Sequence, residues 1–159
     1  MPGVPDLGPD AVDLLPGGEI AFSIEQDIFS ETLGLLHDGD LLSSRGVVVK
    51  TQEALLARFH PAFPKEDAGL DALWVWPSGA VWFSTETDFY TEDFDRFGHG
   101  DLLSDQGYVV YRNLSLVAPF QPLEDLSDFG LDALYVVSDT TVPPDPARCT
   151  RLELDLPTG

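Results

Sequence analysis

The sequence contains an internal duplication, in which residue 18 aligns with residue 79. This duplication constrains the fold more than any other feature of the sequence. When residues 18–76 are aligned with residues 79–137 without a gap, 25 of the 59 positions are identical. Asp10-Ala11-Val12 precedes Asp71-Ala72-Leu73 by the same offset, which adds a third copy of this segment. The pattern D-x-G-x-D-A-[LV] therefore occurs three times, and everything between its occurrences occurs twice.

Each copy has the residue pattern of about four short β-strands. In the second copy, residues 72–76 and 80–89 flank a Pro-Ser-Gly turn, which predicts a β-hairpin. Residues 101–104 and 108–111 flank a second turn at 105–107 and predict another hairpin. Residues 52–59 have helical spacing, but Pro119 in the counterpart 113–120 limits both segments to a short helical turn. The predicted fold class is all-β.

The repeat also sets the predicted domain organisation. We expect a single domain over residues 1–141, with repeats at about 10–70 and 71–131 and a final strand at 132–137. A Pro-rich linker and a C-terminal strand, carried by the alternation in residues 151–156, would occupy residues 142–159. Four-stranded units in tandem resemble propeller blades, but a closed propeller needs about four blades or more. Two arrangements therefore stay open: a pseudo-twofold sandwich or barrel, and a ring completed by several chains as a homo-oligomer.

The charge balance excludes several classes of partner. Lys plus Arg number 8 against 28 Asp plus Glu, a net charge of −20, which opposes binding to nucleic acid and to anionic lipid. The apolar runs are too short for membrane insertion, and no signal peptide is visible at the N-terminus. Cys149 is the only cysteine, which excludes an intrachain disulfide. Such acidity suits either high salt or the gathering of divalent cations outside the cell.

Acidic residues retained in both copies predict calcium sites, because carboxylates are ligands that Ca²⁺ prefers. In each copy a Glu and an Asp are separated by one residue on a predicted strand, so their side chains project from the same face. The other two acids of each copy lie at the start of the two following segments. No contiguous EF-hand loop is present. The predicted ligands are, in the first copy, Glu25, Asp27, Asp40 and Asp71, and in the second, Glu86, Asp88, Asp101 and Asp132.

Three other interpretations of these residues stay open. An Asp that follows Gly commonly opens a turn or caps a helical segment, so the retained acids can be structural. Trp74, Trp76 and Trp82 in the second copy can form an aromatic platform for a sugar or protein ligand, or be core or subunit-contact residues. Glu86 and Asp88 can act as a glycoside hydrolase pair. No nucleophile or phosphate-loop motif is present, so we expect a non-enzymatic protein.

Three short motifs carry a resemblance to a group of proteins. They are Phe22-Ser23-x-Glu25-x-Asp27, Gly39-Asp40-Leu41-Leu42 and Leu70-Asp71-Ala72-Leu73. With them the chain resembles uncharacterised bacterial tandem-repeat proteins, and the resemblance covers residues 6–137. It implies export or surface association and carries no activity, fold or catalytic residue. The combined prediction is a non-enzymatic acidic β module that binds calcium, or that binds a sugar or protein through its tryptophans.

Overall fold

The computed structural model describes residues 8–62, 68–123, 130–137 and 140–144. Regular structure in these residues is mostly antiparallel β-sheet with two short helices, which confirms the all-β prediction. The predicted C-terminal strand at 151–156 and the linker beyond residue 144 lie outside the described residues.

Two four-stranded antiparallel sheets form the body of the fold, and each follows chain order apart from one inserted hairpin. The first sheet has the order β1-β2-β5-β6, with strands Pro9–Leu14, Ile20–Ile24, Leu41–Ser43 and Val47–Lys50. The second has the order β7-β8-β11-β12, with strands Ala72–Val75, Val81–Ser84, Leu102–Ser104 and Tyr108–Tyr111. Both predicted hairpins are confirmed, since Trp74 pairs with Trp82 and Ser104 pairs with Tyr108.

Two small hairpins, which the sequence did not predict, interrupt the sheets. The first joins β3 (Ile28–Ser30) to β4 (Gly34–Leu36), and the second joins β9 (Phe89–Tyr90) to β10 (Arg96–Phe97). Strands this short do not show a period-two pattern, so the sequence carried no signal for them.

Each four-stranded sheet is followed by a short helical segment, as predicted. Helix α1 (Gln52–Leu56) continues into a 3-10 turn at Ala57–Phe59, and α2 (Asn113–Val117) continues into one at Ala118–Phe120. Both segments end at a residue with left-handed backbone, His60 at φ 51° and Gln121 at φ 49°. Pro119 is tolerated because it lies at the start of the second 3-10 turn, where its missing N–H costs little.

The two sheets pack with different faces in contact. We define the front face of the second sheet by Leu73, Val75, Val81, Phe83 and Leu103, and the back face of the first sheet by Ala11, Ala21 and Leu41. These two faces share one core, which α1 and its 3-10 turn close with three buried side chains, Leu55, Leu56 and Phe59. The front face of the first sheet carries the aligned residues of the first copy, namely Val12, Leu14, Ile20, Phe22 and Leu42, and it points away from the second sheet.

Residues 131–137 lie over the outer side of the second sheet. Ser23 Oγ donates to the Leu70 carbonyl at 3.0 Å, and Ser84 Oγ donates to the Leu131 carbonyl at 2.9 Å. The Ser84 contact therefore holds residues 131–137 against the second sheet as the Ser23 contact holds the start of β7 against the first. The strand predicted at 132–137 forms no β-ladder with any described residue, because no β2- or β8-like strand lies beside it there.

Candidate functional site

The three copies of the Asp-Ala-[LV] segment meet around one small cavity. Asp10, Asp71 and Asp132 line this space of about 140 Å³, each followed by its alanine and a branched aliphatic residue. The three segments that carry them lie side by side, because β1 and β7 are in contact and the Ser84 bond positions residues 131–137. Asp10 was not among the predicted calcium ligands, although the threefold pattern had already marked it as equivalent to Asp71.

Two glutamates extend this group of carboxylates. Glu86 is hydrogen-bonded to Asp10, and Glu25 lies close enough to repel both Glu86 and Asp71. Gly69 makes room for Glu86, since a Cβ on this glycine, whose φ is +62°, would collide with the glutamate side chain. We call the five groups the inner-edge acids: Asp10, Glu25, Asp71, Glu86 and Asp132.

Two of the inner-edge acids, Asp71 and Glu86, have a raised affinity for protons. Burial, reinforced by the negative charges of Asp132 and Asp10, raises the pKa of Asp71 to about 6. Burial, with a hydrogen bond and repulsion from Asp10, raises the pKa of Glu86 to about 8. The site therefore holds protons at pH values at which isolated carboxylates are ionised.

We expect the protein to be more stable at pH 5 than at pH 9. A carboxyl group whose pKa is raised by folding stabilises the folded state below its unfolded pKa, and that contribution is lost as pH rises through the folded value. The loss should run from the unfolded pKa upward and end near pH 6 for Asp71 and near pH 8 for Glu86. Thermal melts should show a midpoint about 5 °C lower at the alkaline end.

A glutamine variant separates this effect from the general charge of the chain. Glu86→Gln stays neutral at every pH and should flatten the part of the decline that ends near pH 8, whereas Glu92→Gln, at an exposed residue outside the inner edge, should leave it unchanged. A melting midpoint that rises between pH 5 and 9 would contradict the expectation.

Asp40 and Asp101 make a different set of contacts, which join the loop before a strand to the following helix. Asp40 accepts from the backbone N–H of His37 at 3.1 Å and of Gln52 at 3.0 Å. Asp101 accepts from the N–H of Gly98 and of Asn113 at 3.1 and 3.0 Å. These contacts match the capping interpretation of the retained acids.

Arg112 adds a charged contact in the second copy alone. It donates to Asp101 at 2.6 Å, and its guanidinium lies 4.9 Å from the centre of the Phe97 ring.

Asp27 and Asp88 pair with basic side chains. Asp27 contacts His37 Nδ1 at 3.2 Å, and Asp88 contacts His99 Nδ1 at 3.0 Å and Arg96 Nε at 2.8 Å. Burial raises the pKa of Asp88, but hydrogen bonds from His99 and Arg96 outweigh this and lower it below its usual range. The sequence comparison missed this equivalence, because the gap-free alignment sets His99 against Asp38, the residue next to His37.

The three tryptophans pack against one another in edge-to-face geometry. The ring centres of Trp76 and Trp82 lie 5.0 Å apart, those of Trp74 and Trp76 lie 6.3 Å apart, and Tyr135 lies 5.7 Å from Trp74. Trp76 and Trp82 are buried, and Leu134 and others from residues 131–137 cover the cluster. None of the three indole N–H groups has an acceptor among the described residues. These contacts match the core interpretation better than an open sugar platform.

No protein-family model, curated protein or solved structure matches the chain. The resemblance to bacterial tandem-repeat proteins therefore stays a prediction. Across the described residues, no three His, Cys, Asp or Glu side chains are arranged to hold a metal ion. The same part of the chain contains no helix with the length and apolar character needed to cross a membrane.

The structure divides the eight predicted ligands among several places. It brings Glu25, Asp71, Glu86 and Asp132 to one inner edge together with Asp10. It places Asp40 and Asp101 at helix starts, and Asp27 and Asp88 beside histidines. The site that emerges is shared by both copies, where the sequence predicted one site in each.

Proposed function

We propose that this chain is a non-enzymatic structural module built from two copies of one four-stranded unit, stacked front to back like neighbouring propeller blades. The single observation that carries the proposal is the contact between the front face of the second sheet and the back face of the first. A pseudo-twofold sandwich would bring equivalent faces together, and here the faces in contact are not equivalent. Front-to-back contact is the geometry by which units can be added in series.

The bounds of the elements support the same proposal. Strands β5 and β11, strands β6 and β12, and helices α1 and α2 each begin and end at aligned residues of the two copies. The aligned serines Ser23 and Ser84 each donate to the carbonyl that precedes the next Asp-Ala pair, as Ser23 does to Leu70. The retained Ser and Asp-Ala motifs thus join one unit to the next, which is a structural task.

A test of stacking uses the position of the tryptophans, which all lie in the second unit. Val49 in the first sheet packs against the shared core, so Val49→Ala should lower the stability reported by tryptophan fluorescence by about 1 kcal/mol. Val47→Ala, on the same strand but half exposed, should change it by less than about 0.5 kcal/mol. If Val49→Ala shifts the unfolding midpoint measured by circular dichroism and leaves the midpoint measured by tryptophan fluorescence unchanged, the two units fold independently.

Calcium binding at the inner-edge acids is a second candidate function. The observation that favours it is the gathering of five carboxylates from both units, among which burial and repulsion raise the pKa of Asp71 and of Glu86. A divalent cation would neutralise this repulsion, and drawing the side chains closer would supply the oxygen ligands that Ca²⁺ needs. Bound calcium would then strengthen the junction between the two units.

Calcium should raise the melting midpoint if this second function holds. At a concentration about a hundred times the dissociation constant, one site adds about 2.7 kcal/mol, a shift of about 5–10 °C at this chain length. Melts in CaCl₂, in MgCl₂, in EDTA and in NaCl of equal ionic strength give the measurement. Asp71→Asn should abolish the rise and Asp95→Asn, at an exposed acid, should keep it. An equal rise in NaCl would assign the effect to charge screening.

A further inference from the structure

The first sheet leaves the β1–β2 part of its front face exposed among the described residues, whereas Ile28 and Leu36 of the β3–β4 hairpin cover Leu42. Val12, Leu14 and Ile20 on this face are 60%, 66% and 45% exposed. In the second unit their equivalents are Leu73, Val75 and Val81, which are buried against the back face of the first sheet. The chain therefore shows which surface such a front face fits, namely the back face of a preceding unit.

Helix α2 leaves a second apolar surface open. In the first unit, Leu55 and Phe59 of the α1 segment are buried, and Phe59 meets Phe97 of the β9–β10 hairpin with ring centres 5.1 Å apart. The equivalents in the second unit are Leu116 and Phe120, and Phe120 is 83% exposed. The α2 segment thus has apolar residues at the positions by which the α1 segment packs on the β9–β10 hairpin. None of the described residues covers Phe120 of the α2 segment.

The first unit offers the complementary hairpin. The β3–β4 hairpin stands in the first unit where β9–β10 stands in the second, with Ile28 and Leu36 in place of Phe89 and Phe97. Helix α1 packs on β9–β10, and no helix of the described residues packs on β3–β4 in the same way. One end of the molecule therefore has an exposed front face and a hairpin, and the other end has the α2 helix and a back face that residues 131–137 cover.

We propose that a second copy of this chain docks head to tail, with the front face of its first sheet against the back face of the second sheet of the first copy. In this contact α2 of one copy packs on the β3–β4 hairpin of the other, as α1 packs on β9–β10 within the chain. The inference rests on the proposed stacking of units. Because the two docking surfaces differ, the contact is heterologous, and repeated docking gives a ring or an open stack.

Docking requires β1 of the second copy to displace residues 131–137 from the back face of the second sheet. These residues and β1 of the second copy both correspond to the first strand of a unit, so they compete for one place. Residues 131–137 form no ladder with any described residue, whereas β1 pairs with β2, Val12 opposite Phe22 and Leu14 opposite Ile20. Displacing residues 131–137 therefore costs less free energy than displacing β1.

The net charge of −20 makes the association depend on salt. Two such chains repel at low ionic strength, and the repulsion is screened within about 10 Å at about 0.1 M salt. The docking surfaces themselves are apolar, so salt lowers the repulsion without weakening the contact. The association should therefore strengthen between about 0.05 and about 0.5 M NaCl.

Sedimentation of the full chain and of two variants tests the proposal. Leu14→Glu places a charge on the front face, and Phe120→Glu places one on the α2 segment, both at exposed positions that leave the fold intact. Val47→Glu is the control, an exposed residue of the first sheet outside the front face. Over about 10–500 µM protein in high salt, the wild type and the control should exceed the mass of a dimer, and each test variant should stay monomeric.

Mixing the two test variants distinguishes head-to-tail docking from other contacts. Leu14→Glu keeps an intact α2 end and Phe120→Glu keeps an intact front face, so the mixture should form a 1:1 dimer and nothing larger. Self-association of Phe120→Glu alone would show a front-to-front contact and overturn the proposal. A monomeric wild type would also overturn it and assign these faces to a different polypeptide. Stacking of the two units within one chain is decided separately by Val49→Ala.

Discussion

Phe83→Ala should destabilise the protein by about 3–5 kcal/mol, whereas Phe22→Ala should cost about 1 kcal/mol. The two phenylalanines occupy equivalent positions in the two copies. Phe83 lies on the front face of the second sheet and is wholly buried against the first sheet, so its loss leaves a cavity in the shared core. Phe22 lies on the free front face and is only partly covered.

The comparison is informative because residue type, strand and motif are the same in both variants. Urea unfolding followed by circular dichroism gives both free energies, and the slope of the transition shows whether unfolding stays cooperative. Equal losses would mean that both front faces are buried alike in solution, and the asymmetry of stacking would be wrong. At protein concentrations where copies associate, the loss for Phe22→Ala should grow, so the measurement belongs at low concentration and low salt.

The hairpins could be predicted from the sequence because local residues determine them. Pro77-Ser78-Gly79 ends one apolar run and starts the next, and Gly79 takes a φ of +86° in the turn. A turn of this kind fixes which strands pair without reference to the rest of the chain. The outer two pairs of each four-stranded sheet follow from such local pairing, whereas β2–β5 and β8–β11 pair across an inserted hairpin.

The contact between the sheets could not be predicted, because alternation gives no preference between two apolar faces. All four residues of β8, from Val81 to Ser84, are buried, with one face toward the first sheet and the other toward residues 131–137. The tryptophans on the second of these faces suited a ligand surface equally well. Only the packing of the whole chain decides which face meets which neighbour.

The acids illustrate the same limit. Asp71 and Asp40 are both retained in the duplication and both follow a tight local pattern. Asp40 contacts groups within its own unit, including the N–H of Gln52, so its capping role could be predicted from the sequence. Asp71 acquires its environment from Asp10 and Asp132, which hold the same position in the preceding and following copies of its motif. Convergence of residues so far apart in the chain depends on how the two sheets pack.

Asp105→Ala should cost about 3 kcal/mol, because it breaks an ion pair that joins the two sheets. Asp105 is buried and accepts from the Val81 N–H at 3.1 Å and from the Lys50 ammonium of the first sheet. Lys50 also donates to the Gly79 carbonyl at 2.7 Å. The equivalents of Asp105 and Lys50 in the other copies are Ser44 and Tyr111, so neither charge is retained in both copies.

A double-mutant cycle isolates the contribution of the pair. Lys50→Met keeps the aliphatic stem and leaves Asp105 its bond from Val81, so it should cost about 1–2 kcal/mol. Adding Lys50→Met to Asp105→Ala should cost little more, which gives a coupling energy of about 1–2 kcal/mol. Arg45→Met breaks the exposed pair with Glu19 and should cost less than about 1 kcal/mol. Additive losses at 50 and 105 would mean that the residues act separately. A measured coupling would instead show that the Lys50–Asp105 pair stabilises the contact between the two sheets.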